Sequence, residues 1–216
     1  MKNYRVKAKI LAQARVKENV WHCALAAGEI ARAASPGQFI NVRVSDGCDP
    51  LLRRPLSIHG VSGAKIRILY AVVGRATEIL SRKKGGDYLD IIGPLGNGFD
   101  LGRQKTEDRR RILVAGGMGV APLVFLAERL REDRRQKTED GTVVLVGAKT
   151  KKELLCVNDF KKLGCAVKVA TDDGSQGFRG RVTDLLRHLS SDICPPTSVI
   201  YGCGPRLMLK AVADIA

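Results

Sequence analysis

A strand, a group of glycines and the start of a helix follow one another in the segment Arg111-Ile112-Leu113-Val114-Ala115-Gly116-Gly117-Met118-Gly119-Val120-Ala121-Pro122. Residues 112–115 are all apolar, which is typical of a strand buried on both faces of a parallel sheet. Glycines let the backbone approach a diphosphate, and the start of the next helix offers N–H groups and the positive end of its dipole. The segment therefore predicts a nucleotide-binding turn, although glycines at such a turn also occur for close packing alone.

This segment lies in a half of the chain where apolar strands alternate with helices. Further apolar stretches cover residues 143–146, 166–170 and 199–201, and helical patterns cover residues 121–131, 151–163, 182–189 and those from 205 onward. Strands buried on both faces need helices on both sides of the sheet, and the alternation supplies them. The second half is therefore predicted to be a Rossmann-like α/β domain with a parallel, doubly wound sheet.

The first hundred residues predict an antiparallel β-barrel or sandwich. Residues 4–10, 39–44 and 65–70 alternate polar and apolar side chains between turns rich in Gly and Pro, and one helix is predicted over residues 75–82. The predicted domains are residues 1–102 and 109–216. The hexapeptide Arg-Gln-Lys-Thr-Glu-Asp occurs at 103–108 and again at 135–140. Both copies are predicted to be exposed loops, because neither has an apolar face.

The composition excludes several classes of protein. With 216 residues, 44% hydrophobic and 27% charged, the sequence is typical of a globular protein of one or two domains. The net charge of +15 favours acidic or phosphorylated partners. Aromatic residues make up only 5%, so few side chains can stack on bases, and nucleic acid is not an expected partner.

Location and metal content are also predicted from the sequence. No apolar run reaches the roughly 20 residues that cross a bilayer, and the N-terminus has no signal-peptide core, so no membrane partner is expected. The six cysteines contain no Cys-x-x-Cys pair. We therefore expect a cytoplasmic protein with reduced thiols and no metal site within this sequence.

Two further patterns carry candidate binding residues. In Leu51-Leu52-Arg53-Arg54-Pro55-Leu56-Ser57-Ile58, the guanidinium of Arg54 and the hydroxyl of Ser57 could hold phosphate or ribityl oxygens, or the segment could be a charged edge strand. In Tyr201-Gly202-Cys203-Gly204-Pro205, the glycines leave space over a planar ligand and the proline suits a first helical turn. An ordinary turn with a buried thiol is the structural alternative there.

The order of the three patterns along the chain resembles that of the ferredoxin–NADP reductase superfamily. The resemblance implies an N-terminal FAD-binding barrel and a C-terminal pyridine-nucleotide domain. Three segments resemble, more narrowly, the electron-transfer subunits of NAD-dependent dihydroorotate dehydrogenases. They are Leu69-Tyr70-Ala71-Val72-Val73-Gly74-Arg75-Ala76-Thr77, the Gly-Pro-Leu-Gly-Asn-Gly-Phe loop within residues 90–99, and Thr171-Asp172-Asp173-Gly174-Ser175-Gln176-Gly177.

The resemblance implies residues for FAD in the first domain. They are Arg54, Pro55, Leu56 and Ser57 in one segment, Leu69, Tyr70 and Ala71 in the next, and Ala76 and Thr77 at a helix start. The family usually has a basic residue at position 71 and glycine at position 76, whereas this chain has alanine at both. Arg75 is expected to replace the missing cation.

The resemblance also implies residues for NAD in the second domain. The diphosphate would lie on Gly116, Gly117, Gly119 and Pro122; Cys203, as the catalytic residue, would flank the nicotinamide with Gly204 and Pro205; and Asp172, next to Asp173, would bind the adenosine ribose. A carboxylate repels a 2′-phosphate, which favours NAD over NADP. Lys149, Lys151 and Lys152 leave NADP open as an alternative.

The implied function is that of a flavoprotein electron-transfer subunit in pyrimidine biosynthesis. Electrons from a partner FMN-containing dihydroorotate dehydrogenase subunit, in a heterotetramer, would reach NAD⁺ through FAD. The family's [2Fe–2S] cluster uses four close cysteines in a module that would follow residue 216, so either the sequence is a fragment or the protein lacks the cluster. The alternatives are a small flavin subunit of a sulfide dehydrogenase or of an NADH-dependent ferredoxin–NADP oxidoreductase, and a non-catalytic basic binding module.

Overall fold

A computed structural model describes residues 2–101, 110–132, 141–193 and 198–216, without the side chains of residues 190–193. The two hexapeptide repeats, at 103–108 and 135–140, lie outside the described residues. The chain forms two compact units, Met1–Phe99 and Asp100–Ala216, which we describe separately. No helix within the described ranges is long and apolar enough to span a membrane.

The first unit is a closed antiparallel barrel of six strands. The strands are β1 (Tyr4–Lys17), β2 (Val20–Ala26), β3 (Phe39–Arg43), β4 (Arg54–Ser62), β5 (Lys65–Ala71) and β6 (Tyr88–Leu95). They are ordered β1-β2-β5-β4-β3-β6, and β6 pairs with β1 to close the barrel. Helix α1 (Gly28–Ala33) follows β2, and helix α2 (Arg75–Arg82) follows β5 at the predicted position.

The barrel is filled by alternate side chains of its strands, as the two-residue repeat of a strand requires. Fully buried aliphatic residues come from every strand: Ile10, Leu25, Ile40, Ile58, Ile66, Ile68, Leu89 and Ile91.

The second unit is a five-stranded parallel sheet with helices. Its strands are β7 (Arg111–Gly116), β8 (Thr142–Ala148), β9 (Ala166–Thr171), β10 (Phe178–Arg179) and β11 (Val199–Cys203). Its helices are α3 (Val120–Glu132), α4 (Val157–Lys162), α5 (Val182–Ile193) and α6 (Arg206–Ala213). The strand order is β10-β9-β8-β7-β11, so the predicted combination of antiparallel barrel and parallel Rossmann-like sheet is confirmed.

One sequence prediction is wrong in detail. The helix predicted over residues 151–163 is divided into a 3₁₀ turn (Lys151–Glu153) and α4, because Cys156 between them has a positive φ of 58° that a helix interior does not allow. The buried polar residues of the barrel include His59, which is 5% exposed. Its ring meets that of His22 edge-on at 5.7 Å, at the irregularity in the pairing of β4 with β5.

Candidate functional site

The first strand residue of β4, Arg54, keeps part of its guanidinium uncommitted. Its Nη1 donates to the carbonyl oxygens of Leu52 at 2.9 Å and Arg53 at 3.4 Å. No hydrogen bond joins Nε or Nη2 to the described part of the chain. The side chain is thus anchored at one nitrogen, while two others remain for the two-pronged binding of an anion.

The preceding arginine, Arg53, is held by one acidic residue through two of its three guanidinium nitrogens. Arg53 donates from Nη1 to the backbone oxygen of Asp90 at 2.7 Å and from Nη2 to its carboxylate at 2.6 Å. Arg5 donates to the same carboxylate at 3.2 and 2.8 Å. Hydrogen bonding from Arg5, and from Arg53, lowers the pKa of Asp90 to about 2. Of the two adjacent arginines, Arg53 therefore stabilises the barrel and Arg54 is the one available to a ligand.

The other predicted residues of β4 differ in exposure. Pro55 is exposed, whereas Leu56 and Ser57 are half-buried and pair with Ile40 and Phe39 of β3. Within the described residues the Ser57 hydroxyl makes no hydrogen bond. Ser57 can therefore donate to, or accept from, a ligand that lies along β4.

The start of α2 forms a second anion-binding feature. The Thr77 hydroxyl accepts from the backbone N–H groups of Val73 and Gly74 at 3.0 and 3.2 Å and donates to the Gly74 carbonyl at 2.8 Å. These three bonds use the whole capacity of a hydroxyl, so Thr77 would offer a ligand its backbone N–H only. A Cβ built on Gly74 meets nothing within 4 Å, which leaves the approach to the helix start open.

The end of β5 contributes backbone more than side chains. Tyr70 is 2% exposed, and its hydroxyl donates to Gln13 Oε1 at 3.2 Å. Leu69 and Ala76 are also buried, and Ala71 is half-buried. Contacts of Tyr70 and Ala76 with a ligand would therefore be made by their main-chain atoms.

Arg75, the expected replacement for the missing cation at position 71, has a partner. Its Nη1 lies 2.8 Å from Asp49 Oδ2, and both side chains are largely exposed. An exposed pair of this kind contributes little stability and is easily exchanged. Arg75 is thus able to leave Asp49 for a stronger anion.

In the second unit, the candidate site lies where the strand order reverses. Strand β8 lies on one side of β7 and β11 on the other, and all three are parallel. The chain passes from β7 through β8 and β9 to β10 on one side and then returns to place β11 on the other. Such a reversal of strand order opens a crevice beyond the carboxyl ends of the strands. The turn after β7 and the Cys203-Gly204-Pro205 turn after β11 lie at this edge.

The glycines of these turns have different roles. A Cβ on Gly119 would lie 2.0 Å from the Cys203 carbonyl oxygen, and one on Gly116 would lie 2.6 Å from Met208 Sδ. A Cβ on Gly204 would meet the Met208 methyl at the same 2.6 Å. Gly117 has a positive φ of 54° and nothing within 4 Å of its built Cβ. Contact with backbone thus requires glycine at position 119, whereas Gly116 and Gly204 pack against the flexible end of the Met208 side chain, which could shift. Gly117 faces open space.

Cys203 and Pro122 lie on opposite sides of this turn. Cys203 is the last residue of β11, pairs with Ala115 of β7 and is half-buried. Burial raises the pKa of its thiol, so at neutral pH the group is a neutral thiol rather than a nucleophilic thiolate. Pro122 is buried in the first turn of α3, where no N–H is needed, and Pro205 is exposed next to α6.

The two aspartates after β9 are distinguished by their hydrogen bonds. Asp173 Oδ1 accepts from the backbone N–H and the hydroxyl of Ser175 at 2.9 and 2.6 Å, and these bonds lower the pKa of Asp173. Asp172 is exposed at the same carboxyl edge as Gly117, and its backbone N–H donates to Ala148. The carboxylate of Asp172 is therefore the freer of the two to accept bonds from a ligand.

Comparison with known proteins finds relatives of this chain. Residues 113–214 match the oxidoreductase NAD-binding domain family. The chain is 43% identical over 211 residues to the electron transfer subunit of dihydroorotate dehydrogenase B (NAD(+)) from Desulforamulus reducens, covering 96% of this chain and 76% of that protein. The same subunit from Geobacillus kaustophilus is 37% identical over 212 residues, which cover 97% of this chain and 78% of that protein. The chain belongs to the family of dihydroorotate dehydrogenase B electron transfer subunits. Its members' name places them in an electron-transfer role, as the sequence predicted.

Solved structures show the same fold. The NADH-dependent reduced ferredoxin–NADP oxidoreductase superposes with a TM-score of 0.79 at 29% identity, over 97% of this chain and 71% of that one. A ferredoxin–NADP⁺ reductase from Neisseria gonorrhoeae, solved with bound FAD and NADP, superposes with a TM-score of 0.79 at 18% identity, over 98% and 92%. The second likeness establishes the fold alone.

The described cysteines do not fit the iron–sulfur cluster that the resemblance implies. Cys23 is buried inside the barrel and Cys48 is exposed in the loop before β4. In the second unit, Cys156 precedes α4, Cys165 precedes β9 and Cys203 ends β11, so the three come from different elements. Among the described residues, no group of three or more His, Cys, Asp or Glu side chains is placed to hold a metal ion.

Two features of these sites were missed in the sequence. The first is the role of Gly74 before α2, where its N–H donates to the Thr77 hydroxyl and no atom lies within 4 Å of a built Cβ. The spacing of a glycine three residues before a threonine, visible in Gly74-Arg75-Ala76-Thr77, could have indicated it. The role of Asp90 in distinguishing Arg53 from Arg54 depends on contacts between residues 37 positions apart. No local pattern could have indicated it.

Proposed function

We propose that this chain binds FAD on its barrel and NAD on its α/β unit, and serves as the electron-transfer subunit of an NAD-dependent dihydroorotate dehydrogenase. The observation that carries the proposal is the open Gly117 turn at the strand reversal, in a chain that belongs to this family. The uncommitted nitrogens of Arg54 supply the matching feature on the barrel.

On the barrel, the proposed roles follow from the geometry. Arg54 would bind the FAD diphosphate through Nε and Nη2, and the first N–H groups of α2, reached past Gly74, would bind its other oxygens. Ser57 would hydrogen-bond to the flavin. Arg54 is the principal cation here, because Arg53 is held by Asp90.

On the α/β unit, Gly117 would give the NAD diphosphate access to the start of α3, and Asp172 would accept bonds from the adenosine ribose. The neutral thiol of Cys203 and the backbone of Gly204 and Pro205 would flank the nicotinamide and restrict the water around it. Bound FAD would supply the exchange of a hydride with NAD and of single electrons with a partner.

The proposed partner is a catalytic dihydroorotate dehydrogenase subunit. The relatives are named as electron transfer subunits of such an enzyme, which supports a complex of two kinds of chain. A heterotetramer with an FMN-containing subunit and a cytoplasmic location remain predictions from the sequence. Co-expression with the catalytic subunit, followed by size-exclusion chromatography with light scattering, measures the assembly.

Anaerobic titration with NADH tests the electron transfer. The purified, FAD-loaded chain should lose its visible flavin absorption with about one equivalent of NADH, because a hydride carries two electrons. Arg54→Gln should lower FAD affinity at least about tenfold, since it removes a charge-assisted hydrogen bond. Arg82→Gln is the matched control, because Arg82 pairs with Glu78 on the exposed face of α2. A flavin-loaded chain that NADH does not bleach would contradict the proposal.

A second candidate activity is favoured by one observation. The NADH-dependent reduced ferredoxin–NADP oxidoreductase shares 29% identity with this chain. The two activities share the FAD and NAD sites and differ in the partner. Reduction of NAD⁺ by dihydroorotate in the presence of the co-expressed catalytic subunit supports the first, whereas ferredoxin-dependent turnover without it supports the second. A colourless protein that shifts nucleic acid in a salt-dependent way would instead indicate the basic binding module.

A further inference from the structure

A basic cavity lies on the outer face of the barrel, formed by strands that the proposed FAD residues do not occupy. Its volume is about 490 Å³, within the range of small-molecule sites. Lys7 of β1, Asp90 of β6 and Arg43 of β3 occupy directly paired positions across its floor. Lys83, after α2, and Tyr88 complete the rim.

Positive charge exceeds negative charge in this cavity. Four basic side chains and two acidic ones line it. One of the acids, Asp90, is already neutralised by two arginines, and the second of these, Arg53, lies outside the lining. A cavity with this excess favours a multiply charged anion over a single carboxylate.

The arginines in the cavity are fixed but not saturated. Arg43 donates from Nε to the Ser45 carbonyl at 3.0 Å and from Nη2 to that of Asp46 at 2.9 Å. Arg5 uses Nε and Nη2 on Asp90. Within the described ranges, the Nη1 groups of both make no hydrogen bond. Their side chains therefore need little reordering to bind an oxyanion, which lowers the entropic cost of binding.

Three further groups complete the chemistry of the cavity. The Lys7 ammonium lies 5.5 Å from the centre of the Tyr88 ring, and its only recorded contact within the described chain is with that ring. The Ser45 Oγ is shielded from solvent and has no hydrogen-bond partner among the described residues. A shielded hydroxyl without a partner is unfavourable. The half-exposed Tyr88 ring offers an apolar surface next to the cations.

We propose that this cavity, between Arg5, Lys7, Arg43 and Lys83, is a binding site for a small polyphosphate anion, separate from the FAD and NAD sites. Guanidinium groups bind phosphate in a two-pronged manner, and the two lysines add charge at the rim. The site does not depend on the proposed function, because none of its lining residues belongs to the residues assigned to FAD or NAD.

Calorimetric titration with inorganic pyrophosphate tests the site. The full chain is first saturated with FAD and NAD⁺, so that their diphosphate positions are filled. Saturable binding of one pyrophosphate is expected, and Lys7→Gln/Lys83→Gln should weaken it at least about tenfold, as expected for lost charge-assisted contacts. The matched control is Lys9→Gln/Lys84→Gln, which removes the same charge from exposed neighbours outside the cavity. Thermal melts establish that both variants fold.

Three results would overturn the proposal. They are no saturable binding by the saturated protein, an affinity unchanged in the Lys7→Gln/Lys83→Gln variant, and an equal loss in both double variants. The last would show a general effect of net charge. Failure of the NADH titration alone would leave this site standing, since pyrophosphate binding needs no electron transfer.

Discussion

Alanine substitutions at Gly119 and Gly117 should separate the packing role of the glycine turn from its binding role. In Gly119→Ala the new methyl would lie 2.0 Å from the Cys203 carbonyl oxygen, whereas ordinary contact begins at 3.4 Å. Both groups are fixed by backbone, so no side-chain rotation relieves the overlap. The end of β11 would have to move by more than about 1 Å, at a cost of about 3 kcal/mol or more.

In Gly117→Ala the costs are different. The methyl meets nothing within 4 Å, and the remaining penalty is the positive φ of 54°. A left-handed alanine costs about 1–2 kcal/mol, of which about 0.4–1 kcal/mol is offset by the reduced freedom of the unfolded chain. We expect a net loss of about 1 kcal/mol and a clear loss of NAD⁺ affinity, because the methyl occupies the open space at the start of α3.

Two signals measure the effects on the two units. Trp21, the single tryptophan, lies in β2, so its fluorescence follows the barrel. Most helical residues lie in the α/β unit, so far-UV circular dichroism follows mainly that unit. In urea, Gly119→Ala should move the circular dichroism transition much further than Gly117→Ala does, with a smaller effect on Trp21. Wild-type stability in Gly119→Ala, or a greater loss in Gly117→Ala, would refute this assignment of roles.

Five other substitutions, at four positions, test the sites and the ion pairs around Asp90. Thr77→Val should lower the free energy of unfolding by about 1–2 kcal/mol and weaken FAD binding, because it removes a hydroxyl with three hydrogen bonds. Thr77→Ser keeps the hydroxyl and should retain both stability and FAD affinity. Thermal melts measure the stability, and flavin fluorescence measures the binding. Asp90→Asn should lower the free energy of unfolding at pH 7 by about 1 kcal/mol, measured in urea. This value is small because Arg5 is largely exposed, so solvent weakens its ion pair with Asp90. Because the folded pKa of Asp90 is lowered to about 2, this stability is present above pH 4 and lost between pH 4 and 2, where wild type and variant should converge; a constant difference would contradict it. Asp172→Asn should weaken NAD⁺ binding about tenfold in calorimetry and Asp173→Asn much less, since Asp173 bonds to Ser175; equal effects would argue against a ribose contact by Asp172.

The sequence predicted the architecture of both units because the apolar residues of each follow a clear pattern. Alternation with period two marks the barrel strands, and residues 112–115 and 143–146 are apolar throughout because both faces of β7 and β8 are covered. The helix predicted over 151–163 was wrong because Leu154 and Leu155 are buried next to a left-handed Cys156 rather than along a helix face. Periodicity reports burial, and a bent segment can bury the same residues as a helix.

The individual roles of the site residues were less accessible. The sequence could not distinguish the roles of Arg53 and Arg54, because the difference arises from Asp90. Asp90 lies in β6, next to Arg43 of the neighbouring strand β3, and its carboxylate accepts a hydrogen bond from Arg53. Similarly, the glycines at 116, 117 and 119 are equivalent as a motif and differ only through the approach of β11 and α6. Contacts between strands that are far apart in the sequence decide which residue of a motif is available to a ligand.

The alanines at positions 71 and 76 concentrate the binding of the FAD diphosphate on few groups. Ala71 carries no charge, Arg53 is held by the Asp90 carboxylate that it shares with Arg5, and Arg75 must first leave Asp49. The Thr77 hydroxyl is saturated by the backbone before α2, so this helix offers its N–H groups alone. Backbone N–H groups bind an anion without a full charge of their own, which leaves Arg54 as the one uncommitted guanidinium among the residues proposed for FAD. The ion pairs that stabilise the barrel around Asp90 thus leave Arg54 as the principal cation of the proposed cofactor site.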